Sequence, residues 1–212
     1  MVDIINKIKD AVMSGQADQI QALVKEALAA DVKASDILKE GFIAVMDEVG
    51  EKMSKDEIFI PEVLAAAKTM QTGLDLLKPY LVESESEYTG KVVIGSVKGD
   101  VHDIGKNMVC MMFEGAGFEV IDLGVNVPDE EFVENVKNQQ PQILALSSLY
   151  TPTMLAMKDV IDALTDAGLR DKVKIIVGGA PVTQLFADDI GADGYAPDAS
   201  KAVLKAKELL GN

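Results

Sequence analysis

Gln142-Ile143-Leu144-Ala145-Leu146 decides the fold. Pro141 precedes this run and Ser147-Ser148 follows it. From Ile143 to Leu146 it is apolar without alternation. A short strand that is apolar on both faces is buried on both faces, as in a parallel sheet covered by helices. Three more stretches are strand candidates: Lys91–Val97, Phe118–Leu123 and Val173–Val177. A shorter one spans Asp193–Ala196. Helical periodicity fills the gaps, at 104–116, 128–139, 152–168, 181–188 and 198–210. The alternation predicts a doubly wound, five-stranded parallel α/β unit over residues 91–212. In such a sheet a ligand sits at the carboxyl ends of the strands.

Upstream the period is helical throughout. Ile4, Ile5, Ile8, Ala11 and Val12 predict a first helix over Asp3–Ser14, and Ile20, Leu23, Val24, Ala27 and Leu28 a second after Gly15. Ser35 is the expected N-cap of a third, which carries Leu38, Phe42, Val45, Met46 and Val49. A fourth starts near Pro61 with Val63, Ala67, Met70, Leu74 and Leu77. Short connections predict an antiparallel four-helix bundle over 1–82. The acidic, aperiodic stretch 83–90 reads as a linker.

Composition narrows the function. The chain has 212 residues, 20 basic and 35 acidic, for a net charge of −15. The acid is spread over both halves, so the surface repels phosphate backbones and argues against nucleic acid. One cysteine, Cys110, cannot form an intramolecular disulfide or a cysteine cluster. Met1–Asp10 has no signal-peptide pattern, and no apolar run is long enough to span a membrane, so a cytoplasmic location is expected. The chain has one histidine, His102, so any imidazole chemistry falls to it.

His102 lies in the loop after the first strand, Lys98-Gly99-Asp100-Val101-His102-Asp103-Ile104-Gly105-Lys106-Asn107. The Gly99–Gly105 spacing does not fit a P-loop, and Asn107 stands where such a loop needs a hydroxyl. A dinucleotide fingerprint is absent too. On residue type alone His102 reads more readily as a surface or capping side chain than as a metal ligand oriented by a carboxylate. Its place at a strand end shifts the balance toward the ligand. The third strand ends in Ser147-Ser148-Leu149-Tyr150-Thr151-Pro152-Thr153, and the fourth in Gly178-Gly179. Each alone suits an ordinary cap or turn. Together they suit a large, elongated ligand.

Asp100-x-His102-x-x-Gly105, Ser147-x-Leu149 and Gly178-Gly179, in this order, resemble the cobalamin-binding module. The loops 98–107 and 149–152, and Tyr195-Ala196-Pro197-Asp198-Ala199-Ser200, are similar to those of cobalamin-dependent methionine synthase. Val49-Gly50-Glu51 and Ile58–Val63 resemble that enzyme's helical cap. With cap and cobalamin module covering the whole chain, the match is to the free-standing corrinoid proteins of methylotrophic methyltransferase systems. The resemblance implies a flavodoxin-like sheet behind a helical cap, with His102 as the lower axial ligand of cobalt in a base-off, His-on cobalamin. It implies that Asp100 holds the far ring nitrogen and that Thr153 completes the relay, with a threonine where the family has serine. It implies cofactor contacts from Gly99, Asp100, Val101, His102, Asp103, Ile104 and Gly105. Ser147, Leu149, Thr151, Gly178, Gly179 and Ala199 would line the slot for the nucleotide tail. Met53, Ile60 and Val63 would approach the reactive face, although Ile60 and Val63 read equally as bundle core.

The implied function is a methyl carrier that is not catalytic alone. A substrate-specific methyltransferase loads Co(I), a second methyltransferase unloads methyl-Co(III) to tetrahydrofolate or a thiol such as coenzyme M, and a reductive activase restores the cofactor. The implied donors are methanol, methylamines, quaternary amines or methoxy compounds. Two alternatives have other features. A cobalamin sensor can carry a similar cap but normally adds a DNA-binding element, and no basic helix is present. A mutase small subunit generally lacks the cap.

Overall fold

The computed structural model describes residues 2–55, 57–81 and 88–211. Contacts divide the chain into two compact units, one built on the amino-terminal helices together with Glu114–Gly117, the other on the sheet.

In the helical unit α1 spans Val2–Met13 and α2 spans Ala17–Ala29. The expected third helix is one continuous rod of three parts: α3 (Ala34–Asp36), a π-helical stretch (Ile37–Ile43) and α4 (Ala44–Ser54). The Ala44 N–H reaches back five residues to the Lys39 carbonyl, which is the wider π turn. Ser35 is not the cap. Lys33 has the extended backbone of the N-cap, and Ser35 falls one residue inside the helix. The fourth helix, α5, spans Ile60–Leu81. Its start is fixed by Glu62, whose Oε2 accepts the Phe59 N–H at 2.8 Å. This is the returning half of a capping box. The apolar stripes meet in a core of Ile8, Ile20, Val24, Ile37, Phe42, Met70 and Leu77. Gly73 has a packing reason, because a Cβ there would stand 2.4 Å from the Phe42 Cζ. Val63 is buried in this core, Ile60 is exposed and Met53 is half-buried.

Of the expected linker, residues 83–87 lie outside the described residues. Gly90 does not belong to it, since it opens the first strand by pairing with Phe118. The strands are β1 (Gly90–Ser96), β2 (Phe118–Asp122), β3 (Ile143–Ser147), β4 (Lys174–Gly178) and β5 (Gly194–Ala196). They are parallel, in the order β2-β1-β3-β4-β5. Strand ends differ from the expected ones by a residue or so, because pairing carries β3 and β4 through the Ser147–Gly178 register. Helices α6 (Ile104–Gly115), α7 (Asp129–Gln139), α8 (Leu155–Asp166), α9 (Gln184–Ile190) and α10 (Ala199–Leu210) connect and cover the sheet. The helix expected from 152 opens instead with a separate 3₁₀ turn over Thr151–Thr153. α9 starts at Gln184 and not at 181, because Thr183 is its cap and accepts the Phe186 N–H. One face of the sheet packs on Phe132, Met157, Val160, Ile161 and Leu164. The strand order reverses between β1 and β3, so the carboxyl ends of that pair are the topological switch point.

Candidate functional site

The loop after β1 is built before it reaches His102. Val97 bridges to Val127, and the chain turns at Gly99, whose φ of +84° suits glycine. Asn126 clamps the turn from the opposite loop. Its Oδ1 accepts the Gly99 N–H at 2.7 Å and its N–H donates to the Asp100 carbonyl at 2.8 Å. Ser96 Oγ donates to the His102 carbonyl at 2.8 Å.

These contacts deliver Asp100 to the interior, where it is 1% exposed. A buried carboxylate must be matched by donors, and six donor groups lie within hydrogen-bond distance of this one. Oδ1 accepts the His102 N–H and the His102 ring Nδ1–H, each at 2.9 Å. Oδ2 is within hydrogen-bond distance of the Leu149 N–H (2.7 Å), the Tyr150 N–H (3.1 Å), the Thr153 hydroxyl (3.0 Å) and the Ser148 hydroxyl (3.2 Å). Burial by itself pushes the carboxyl up. The bonds from the His102 N–H and ring, then from the Leu149 and Tyr150 N–H groups, outweigh it and hold Asp100 well below the usual carboxylate range.

An ionised carboxylate only accepts, so the neutral His102 ring keeps its hydrogen on Nδ1. Nε2 is left with a lone pair, on a side chain that is 51% exposed. This is the donor geometry of a metal-ligating imidazole with a carboxylate behind it. Among the described residues no group of three or more His, Cys, Asp or Glu could hold a metal ion. One imidazole cannot cage an ion alone, so the other coordination positions must come from the ligand itself. The surroundings suit a broad apolar ligand. Val101, Ile104, Leu149 and Tyr150, on the loops after β1 and β3, expose large apolar surface. A Cβ on Gly105 would meet nothing within 4 Å, so the fold leaves that space open. A corrinoid, which carries its cobalt in a macrocycle, fits this donor set.

The other predicted residues divide. Asp103 caps the next turn, its carbonyl accepting the Asn107 N–H at 2.7 Å. Ser147 is half-buried and ends β3 in register with Ser96 and Gly178. Thr151 is exposed on the 3₁₀ turn. Gly178 and Gly179 press against neighbouring backbone. A Cβ on Gly178 would stand 2.8 Å from the Ala196 carbonyl oxygen, and one on Gly179, at φ +126°, only 1.8 Å from that of Ser148. Ala199 is buried in the first turn of α10, behind the Asp198 cap. The structure thus gathers Asp100, His102, Leu149 and Thr153 around one carboxylate, while Ala199 sits in a cap of its own.

Three contributors were missed. Ser148 is fully buried beside Asp100, but a run of hydroxyls does not say which one turns inward. Asn126 gave no signal. Lys106 is 2% exposed, with Nζ 2.6 Å from Asp122 Oδ2 and 2.7 Å from Asn107 Oδ1. Its spacing of seven from buried Phe113 placed it on the inner face of α6. The pair ties the first turn of α6 to the end of β2.

Comparison with known proteins agrees. Two models described as B12 binding domain match residues 4–78 and 90–204. The chain is 45% identical over 210 residues to trimethylamine corrinoid protein 1 of Methanosarcina acetivorans, covering 98% of this chain and 97% of that one. It is 44% identical over 209 residues to the dimethylamine corrinoid protein of Methanosarcina barkeri, covering 98% of each. The crystal structure of the methanol:cobalamin methyltransferase complex of Methanosarcina barkeri superposes with a TM-score of 0.88 at 31% identity, over 99% of this chain and 81% of that one. With a lone, carboxylate-backed imidazole at the switch point and relatives matched from end to end, the chain belongs to the B12-binding family of corrinoid proteins.

Proposed function

We propose that this chain is the methyl-carrying corrinoid subunit of a methyltransferase system that draws on methylamines. The single observation that carries the reading is the His102 ring, held by Nδ1 on buried Asp100 with Nε2 open among exposed apolar side chains. When bound, the corrinoid supplies a cobalt centre that accepts a methyl group and gives it up again. His102 would hold the cobalt through Nε2, which is the base-off, His-on arrangement. Asp100 fixes the tautomer and aims the ring. Thr153 donates to Asp100 from the far side. Gly99, Val101, Asp103, Ile104 and Gly105 form the wall of the loop, with Gly105 leaving room. Ser147, Leu149 and Thr151 would line the slot for the nucleotide tail, with Gly178 and Gly179 shaping it by letting the ends of β3 and β4 pack backbone to backbone.

The donor class rests on the likeness to trimethylamine and dimethylamine corrinoid proteins. The partners are a methyltransferase that loads the methyl group, a second that removes it to a thiol or to tetrahydrofolate, and a reductive activase. No helix among the described residues is long and apolar enough to cross a membrane.

The test is reconstitution with aquacobalamin. One corrinoid per chain, with imidazole nitrogen coupling in the Co(II) resonance spectrum, is the expected result. His102→Gly removes that coupling. A variant spectrum equal to the parent's overturns the ligand assignment. Failure to accept methyl groups from a methylamine methyltransferase overturns the carrier reading.

A further inference from the structure

Asp100 Oδ2 faces two hydroxyls, and they are not independent. Thr153 Oγ1 lies 3.0 Å from Oδ2 and 2.7 Å from the Tyr150 carbonyl oxygen. Ser148 Oγ lies 3.2 Å from each of the same two acceptors. The hydroxyl oxygens are 2.8 Å apart, so one is bonded to the other. Each hydroxyl has one hydrogen. The bond between them uses one, which leaves a single hydrogen for Oδ2 or the Tyr150 carbonyl. The ionised carboxylate is the stronger acceptor and takes it.

Ser148 is not needed for its own backbone. Its N–H is bonded to the Gly178 carbonyl at 3.1 Å, and its carbonyl is seated where Gly179 has no side chain. The rigid crossing of the β3 and β4 ends therefore aims Oγ at Asp100 whether or not Oγ bonds there. A hydroxyl chain polarises, each bond strengthening the next. Donation to Oδ2 is stronger with Ser148 than with Thr153 alone, and it draws charge away from Oδ1. The His102 Nδ1–H is bonded to Oδ1.

We propose that Ser148 is a positioning residue for the methyl-carrier site: with Thr153 it forms a hydroxyl pair that loosens the grip of Asp100 on the His102 ring, and so sets how firmly Nε2 holds cobalt. The cobalt part of this rests on the carrier reading. The ring part does not.

The test therefore has two readouts. His102 is the only histidine, so its ring nitrogen resonances are unambiguous in the cofactor-free protein. At a pH where the ring is neutral, Ser148→Ala is expected to raise the ratio of the Nδ1–H to the Nε2–H tautomer about threefold, the scale of one modest hydrogen bond. Asp100→Asn lowers it. In the cobalamin-loaded protein the ratio of imidazole-bound to imidazole-free Co(II), read by resonance spectroscopy, moves the same way in each variant. Thr153→Val matches Ser148→Ala in sign, and the double variant shows less than the sum of the two. Ser148→Cys, close in volume with a weaker donor, gives a smaller shift and serves if the alanine variant does not fold. General damage to the loop moves the ratio toward that of Asp100→Asn. A folded Ser148→Ala or Ser148→Cys that leaves the tautomer ratio unmoved, or moves it that way, overturns the assignment. A tautomer shift as expected, in a chain whose cobalt never carries the imidazole, supports the hydroxyl pair and overturns the ligand reading.

Discussion

The helical unit and the sheet unit bury their polar groups differently. Among the described residues the helices bury one polar side chain, Thr69, and its hydroxyl only bonds back to the Ala65 carbonyl one turn earlier. The sheet unit buries Ser96, Asp100, Lys106, Ser148 and Ser200. The first four stand at or near the carboxyl ends of β1, β2 and β3, with bonds that cross between chain segments. Apolar packing is tolerant of exchange at similar volume, whereas a satisfied polar network is not. The helices therefore hold their shape through many interchangeable contacts. The strand ends hold theirs through a few that cannot be exchanged.

Substitutions can break or sharpen that contrast. The largest effect is expected at Gly179. The added Cβ of Gly179→Ala meets the Ser148 backbone at 1.8 Å in a left-handed conformation, which costs about 4 kcal/mol in strain and displacement. Chemical denaturation of the cofactor-free chain measures it. Asp100→Asn comes next. The amide cannot accept at both ends, and about 3 kcal/mol is lost at pH 7. Because the folded Asp100 carboxyl is held low, its contribution is fully present above the ordinary carboxylate value of about 4. It disappears only as the pH falls through the folded value. The gap between parent and variant is thus flat from about pH 7 to pH 5 and closes on further acidification. A gap that closes near neutrality would contradict the network.

Phe42→Leu tests the other side. The ring is fully buried, and its replacement costs about 1.5 kcal/mol by denaturation while leaving the His102 tautomer ratio unchanged. A tautomer shift there would end the distinction between the units. The smallest effect is at Gly105. With open space where its Cβ would be, Gly105→Ala leaves the cofactor-free chain as stable or up to about 0.5 kcal/mol more so. Its corrinoid affinity falls, as equilibrium titration would show. A glycine that costs the fold stability and serves the ligand is the counterpart of Gly179, which serves the fold.

The sheet was legible because its signal is local: continuous apolar strands, separated by helical periods, leave little choice of architecture. The His102–Asp100 pair was legible because both fall in one loop, two residues apart. What lay hidden depends on distance along the chain. Ser148 and Asp100 are separated by 48 positions, and nothing in Ser147-Ser148 says which hydroxyl leaves the strand register and which continues it. Lys106 shares the buried face of α6 with Phe113, and what the sequence hides is its partner, Asp122, 16 positions away. The π turn was invisible for a different reason. Its residues keep the helical apolar stripe, and only the bond from Ala44 to Lys39 tells the two helices apart.

The donors that converge on Asp100 also set a timescale. Asp100 and His102 belong to the loop after β1, and the other partners come from the loop after β3, so the two loops cannot part without stripping a buried charge of most of its partners. Loops with exposed tips ordinarily exchange their amide hydrogens through small, private openings. Here the amides of Leu149 and Tyr150 share one oxygen of Asp100, on the opposite loop, and are released together. Hydrogen exchange at these two positions is therefore a single cooperative event, slow for a surface loop, while the His102 amide, bonded to the other oxygen within its own loop, exchanges separately.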